Sequence, residues 1–342
     1  MLTQAQLNRA LLARQMLLRR VRLSVPVTAE RMGGIQTQYA PSAYVALWSR
    51  VAGMTREALT RALTRRSVVQ GTLMRGTIHI VSARDYWPVA AALREPRRRW
   101  WLRVTPNAGA RRRIVDLAEQ TRALLEDGPR RRADLLAALD VDSQTWSGVG
   151  FWVDLVRVPP SGTWERRRAD LYWLADRWIP PAAATPAAGI DLLVGRYLAG
   201  FGPASTADIA GFTGLSMPEL EPAFGRIPLR RFVAEDGTPL VDLPRAPIPD
   251  GGVPAPVRFL PTWDATLLVH ARRTQILPER FRPLLFHSRN PQSLPVFLVD
   301  GQVAGAWRHN GERITIDPFE PLPRPARRLV EEEAELLAAY HR

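Results

Sequence analysis

The chain has 342 residues, 46% of them hydrophobic, which is enough for two or three small domains with real cores and excludes wholesale disorder. All 47 basic residues are arginine, against 33 acidic ones, and a formal charge of +14 favours a polyanionic partner, either nucleic acid or an acidic membrane surface. The absence of cysteine excludes disulfides, thiolate nucleophiles, Cys-ligated zinc and iron–sulfur clusters, and suits a reducing cytoplasm.

The N-terminal stretch lacks the apolar run of a signal peptide, and no apolar run approaches a membrane span. Residues 3–20 form an amphipathic pattern, with Leu7, Ala10, Leu11, Arg14 and Leu18 in helical spacing. A second helix is predicted over 41–51, and Thr55 caps a third over 56–64. VVQGTLMRGTIHIV then reads as two strands. A helix over 111–126 is broken by Gly128-Pro129, RRRADLLAAL starts another, and 143–156 reads as a third. PPSGTW turns the chain into the aromatic segment LYWLADRW. Residues 180–188 read as a linker, followed by a helix over 191–201. Ser205 and Thr206 suit an N-cap, Gly211 and Gly214 a tight turn, and Ser216 a further cap before Pro218 and Glu219. Asp236-Gly237 between RRFVAE and PLVDL is a strong hairpin signal. After a second linker over 245–259 come FLPTWDATLLV, LPVFLVDG and VAGAWRH, with strand character, and a terminal helix over 327–341.

Helices followed by a strand pair recur three times, which is the winged-helix plan. The expected fold is α+β, with tandem winged helix-turn-helix units around a concave basic surface and a C-terminal β-rich module. The units are placed at 1–93, 94–180 and 189–245, and the module at 256–342.

The densest basic segment is 94–113, where Arg97, Arg98, Arg99, Arg103, Arg111, Arg112 and Arg113 interleave with Trp100 and Trp101. It reads equally as phosphate contacts or as a solvated helix face whose tryptophans pack inward. The run Arg166, Arg167 and Arg168 follows the second wing and leans to DNA. Most of the eleven tryptophans belong in cores. The five histidines show no metal-ligand spacing, so no metal site is expected. Asp264 and His270 read as an orienting hydrogen bond rather than an acid–base couple.

GGIQTQYAPSAYVALWSRV, residues 33–51, is the most informative segment. It reads as a glycine turn, an extended Gln36-Thr37-Gln38 and a proline-initiated helix. In extended chain, positions i and i+2 point the same way, so both amides can face one cleft. An amide orients water but cannot strongly deprotonate it. On these residues alone, a polar loop capping the helix is the better reading. Arg75, Thr77 and His79 alternate on a strand; Arg75 leans to DNA and His79 to a polar core site.

IQTQYAPSAYVALWSRV, LMRGTIHIVSARDYWP, RFLPTWDATLLVHARR and FLVDGQVAGAWR, in this order, closely resemble the AlkZ/YcaQ-like winged-helix DNA glycosylases of bacteria. The resemblance implies a concave basic surface that holds DNA. It also implies hydrolysis of the glycosidic bond of bulky N7-alkylated purines, interstrand crosslinks included. Such activity would give a producer self-resistance to a DNA-alkylating natural product. Catalysis in the family uses a Gln-x-Gln or Gln-x-Asp motif. Gln36 and Gln38 match the first version, the one associated with crosslink resistance. Paralogues differ in activity, so the motif does not fix the substrate.

Gln38 is assigned to positioning water and Gln36 to water or sugar contact. Candidate DNA contacts are Arg75, Thr77, Arg97, Arg98, Arg99, Arg111, Arg112, Arg166, Arg167 and Arg308. A β-hairpin is expected to probe the minor groove, and 299–307 is one candidate, with an ordinary core hairpin at least as good a reading. The partner is double-stranded DNA with an alkylated or crosslinked purine, bound by a cytoplasmic, nucleoid-associated monomer without cofactor or membrane. The competing reading is a non-catalytic winged-helix DNA-binding protein, a regulator or damage sensor. A regulator usually dimerises with one recognition helix per half-site, whereas three dissimilar units in one chain suit a monomer around one lesion.

Overall fold

The computed structural model describes residues 1–268, 273–286 and 294–342. It is α+β, as expected. Strands β1 (Ile35–Gln36), β2 (Val68–Thr72), β3 (Ile78–Ser82), β4 (Arg130–Arg131), β5 (Leu155–Arg157) and β6 (Leu171–Leu174) form one antiparallel sheet in the order β1-β3-β2-β5-β6-β4. Its centre is the β2–β5 pairing, with Gln70 opposite Arg157 and Gly71 opposite Val156. The first two units therefore share a sheet. The division expected between residues 93 and 94 falls inside the helix Ala83–Val104.

That long helix is hidden in the sequence by Pro88 and Pro96, each of which removes a backbone donor. Ser82 caps it by accepting from the Asp85 N–H. Burial of Val89, Ala90, Ala92 and Leu93 compensates for the two missing bonds. The helix Pro186–Phe201 packs across it so closely that a Cβ on Gly189 would lie 2.0 Å from the Pro88 carbonyl oxygen. This helix starts at Pro186, capped by Thr185, so the linker expected over 180–188 is shorter than its composition suggested.

The third unit follows its local signals closely. Ser205 and Asp208 form a capping box on helix Thr206–Thr213, which ends on left-handed Gly214. Ser216 and Glu219 form another on helix Met217–Arg226. Strands β7 (Arg230–Val233) and β8 (Pro239–Asp242) then pair across the Asp236-Gly237 turn. The element order is that of a winged helix. Elsewhere the helical readings run too long. The first helix spans Gln4–Arg14 and stops before Met16, which takes φ of 57°. The helix read over 143–156 ends at Trp152, because β-branched Val153 turns extended and Val156 joins β5. The helix Val25–Arg31 went unread.

The C-terminal module is a four-stranded sheet in the order β12-β11-β10-β9, from β9 (Arg258–Leu260), β10 (Val296–Val299), β11 (Gln302–His309) and β12 (Ile314–Pro318). Helix Arg324–His341 packs on it through Val330, Ala334 and Leu337, in one core with Tyr44, Leu47 and Leu59 of the first unit. The β10–β11 turn is not a free probe. Asn8 donates to the Gly301 carbonyl at 2.8 Å and Arg9 pairs with Asp300 at 2.7 Å, tying it to the first helix. The tip of the next hairpin, residues 310–313, is exposed.

Two buried ion pairs bolt the units together. Arg14 grips Asp242 at 2.6 and 2.9 Å, and Arg50 grips Asp264 with two bonds of 2.9 Å. Asp264 is thus Arg50's partner; His270, paired with it in the sequence reading, lies outside the described residues. Removing one member of a buried pair leaves the other charge uncompensated, at a cost of about 3–5 kcal/mol. Asp264→Ala should therefore lower the urea midpoint sharply. An unchanged midpoint would show that the pair does not hold the first unit to the C-terminal module.

Candidate active site

The turn at Gly33 and Gly34, with φ of 71° and 92°, feeds the chain into β1 at the edge of the shared sheet. β1 pairs with β3, placing Gln36 opposite His79, and the Thr37 N–H extends the ladder to the Ile78 carbonyl at 2.9 Å. Gln36 is buried, at 6% exposure, whereas Gln38 is exposed. The two side chains do lie on one side of the strand. Gln36 Nε2 donates to Gln38 Oε1 at 2.8 Å.

Arg75 sets the direction of this pair. It sits in the β2–β3 turn with φ of 54°. One guanidinium nitrogen donates to Gln36 Oε1 at 2.7 Å and another to the Phe212 carbonyl, with the ring of Phe212 5.3 Å away. Phe212 lies in the last turn of helix Thr206–Thr213, where carbonyls lack partners within the helix and carry partial negative charge. An arginine can only donate, so it must face the oxygen of Gln36. The Gln36 nitrogen then faces Gln38, which must answer with its own oxygen. Both amide orientations follow from one guanidinium. Burial lowers the Arg75 pKa to about 10, which leaves it charged at neutral pH.

His79 is fully buried against the Thr77 carbonyl at 3.1 Å. Burial, and then the Arg75 charge, lower its pKa to about 3, so the ring is neutral. Gln38 and Thr77 form one wall of a cleft of about 260 Å³, faced by Arg132, Trp146, Ser147 and Tyr172. Among the described residues lining it there is no carboxylate and no histidine. Chemically, the cleft can orient a water and offer amide dipoles. Its own side chains include no acid or base that titrates near neutrality.

The other arginines named from the sequence divide into spent and available ones. Arg97 is buried and is corrected to a core residue: it donates to the Leu93 and Thr72 carbonyls and lies over Phe151. Arg98 is likewise occupied, by Phe151, Trp152 and Glu95. Arg99 is exposed but bridged to Glu219. Arg111 makes one 3.3 Å bond to the Leu102 carbonyl; Arg112, Arg166 and Arg308 are exposed; Arg167 is exposed and donates to the Tyr39 hydroxyl at 3.0 Å. Thr77 is half-buried on the cleft wall. One lining residue was missed: Arg132 reads only as a helix start, yet lines the cleft with Gln38. Of the two tryptophans read as packing inward from the basic segment, Trp101 is buried and Trp100 is 50% exposed.

No curated protein matches this sequence significantly. Among solved structures, the DNA glycosylase AlkZ of Streptomyces sahachiroi superposes with a TM-score of 0.82 at 20% identity, covering 99% of this chain and 97% of that one. At that identity the likeness is one of fold. The family model "DNA glycosylase AlkZ-like" matches residues 29–340. The chain belongs to the AlkZ-like family of DNA glycosylases, hydrolases of N-glycosyl bonds in DNA.

Proposed function

We propose that this glycosylase excises bulky N7-alkylguanine from duplex DNA and unhooks crosslinks made through that position. The observation that carries the reading is the pairing of an oriented, exposed Gln38 amide with a cleft whose described lining has no acid or base. An ordinary base leaves only with a proton supplied by a general acid. N7-alkylguanine is already cationic, so its departure needs none. What remains is to place water on the anomeric carbon and to stabilise the oxocarbenium-like centre that develops there.

Gln38 Oε1 spends one lone pair on Gln36 and keeps another for water or for the developing positive charge. Gln36, buried and bonded at both ends of its amide, acts through Gln38 by fixing that oxygen. A base tied to the opposite strand cannot be flipped into a closed pocket, and Gln38, which would act on its sugar, is exposed. Arg132 on the cleft wall and exposed Arg111, Arg112, Arg166, Arg167 and Arg308 supply phosphate contacts that position the duplex without reading sequence.

Gln38→Ala removes the aligned oxygen. Single-turnover release of N7-alkylguanine from duplex should fall by about 10²–10³-fold, the usual loss for one preorganised transition-state contact, with duplex affinity nearly unchanged. Turnover at the wild-type rate would refute the assignment. The groups around the amides also set a pH profile. Arg75 loses its charge only as pH rises through about 10, and His79 gains one only as pH falls through about 3. The single-turnover rate should therefore be flat from about pH 5 to about pH 9, whereas a bell-shaped profile would reveal an essential acid or base.

A further inference from the structure

Tyr39, which follows Gln38 in the chain, lines a second cavity of about 390 Å³. Several parts of the fold build it, Pro261 after β9 among them. The helix Ala40–Trp48 contributes Pro41 and Ser42 in its first turn, and Trp164 and Arg167 come from the loop after β5. Trp307, Arg308 and His309 come from β11, and His341 from the end of the last helix.

Three observations mark it as an anion site. First, the side chains carry positive charge and donors, and no carboxylate is among the described residues lining it. Among the described residues Arg167 bonds only a neutral hydroxyl, and Arg308 is exposed. Second, polar atoms stand ready there. Ser42 Oγ, in a residue only 2% exposed, and His341 Nε2 are both buried without a hydrogen-bond partner. Such groups cost about 1–3 kcal/mol each when left unsatisfied, which a ligand would relieve. Third, Ser42 belongs to a helix N-terminus that has no side-chain cap, where the helix dipole favours negative charge. The surroundings agree. The His309 and His341 rings lie 4.1 Å apart. Burial, and then His309, Arg167 and Arg56, lower the His341 pKa to about 4.

We infer that this cavity seats one phosphate of the DNA backbone next to the sugar that faces Gln38. Ser42 Oγ and a neutral histidine N–H donate to its oxygens, and Arg167 and Arg308 neutralise it. Trp164, Trp307 and Pro261 form an apolar floor that strengthens these bonds by excluding water. The seat would fix the register of the scissile nucleotide. The inference rests on DNA binding and not on the chemistry assigned to the glutamines.

Two variants test it without disturbing the core: Arg308→Ala, on an exposed side chain, and Ser42→Ala, which deletes an unbonded hydroxyl. On plain duplex, the slope of log affinity against log salt should fall by about one with Arg308→Ala, one phosphate's worth. An unchanged slope overturns the inference whether or not any lesion is recognised. On a duplex with a single tetrahydrofuran site, an uncharged methylphosphonate is then placed at each flanking position in turn. One position should weaken the wild type about tenfold but the double variant less than twofold. Equal losses in both proteins at every position would overturn the seat. So would coupling of the variants to removal of a flanking base, which would make the cavity a base pocket.

Discussion

A single guanidinium determines how the Gln36 and Gln38 amides point. An amide can be turned end for end at little cost where its neighbours both donate and accept. Arg75 removes that freedom because it has no lone pair to offer. Its position depends on tertiary structure: the turn that carries it belongs to the first unit, and the carbonyl that anchors it ends a helix of the third. The site therefore exists only when the units are docked. The buried pairs Arg14–Asp242 and Arg50–Asp264 serve that docking, one joining the first helix to the third wing and the other the first unit to the C-terminal module.

The division of labour between arginines follows from the same geometry. Arg50, Arg75 and Arg97 are held by acceptors inside the protein, whereas Arg112, Arg166 and Arg308 remain at the surface. A guanidinium suits either place, since even when buried it stays charged at neutral pH and spreads its donors over a planar fork. Net charge alone thus overstates the cations available to DNA. Those near the cleft matter more than their number, because only an unpaired surface guanidinium has donors left for a phosphate.

Local chemistry was legible wherever it is decided locally. Ser205, Gly214, Ser216 and Asp236-Gly237 predicted caps and turns that the structure contains. The helix Ala83–Val104 was not, since Pro88 and Pro96 argue against it and only burial outweighs them. The alternation of the extended Gln36-Thr37-Gln38 puts both amides on one side, as the structure shows, but on the residues alone a polar loop was the better reading and only the family resemblance outweighed it. The sequence leans Arg75 toward DNA and gives no sign of the partners it has within the protein, Gln36 and Phe212. Nothing near it in the chain points to Phe212, and the same holds for Arg97, whose acceptor on Thr72 is brought to it by the sheet. Roles of arginines are set by long-range contacts, and sequence spacing does not contain them.

The claim that Arg75 acts by aligning Gln36, and through it Gln38, is most directly tested by a double-mutant cycle. Single-turnover release of N7-alkylguanine would be measured for Arg75→Met, Gln36→Leu and the two combined. If both residues serve one chain of hydrogen bonds, the combined variant will be no slower than the slower single variant within about twofold. If the two losses multiply, the residues act independently and the alignment account is wrong.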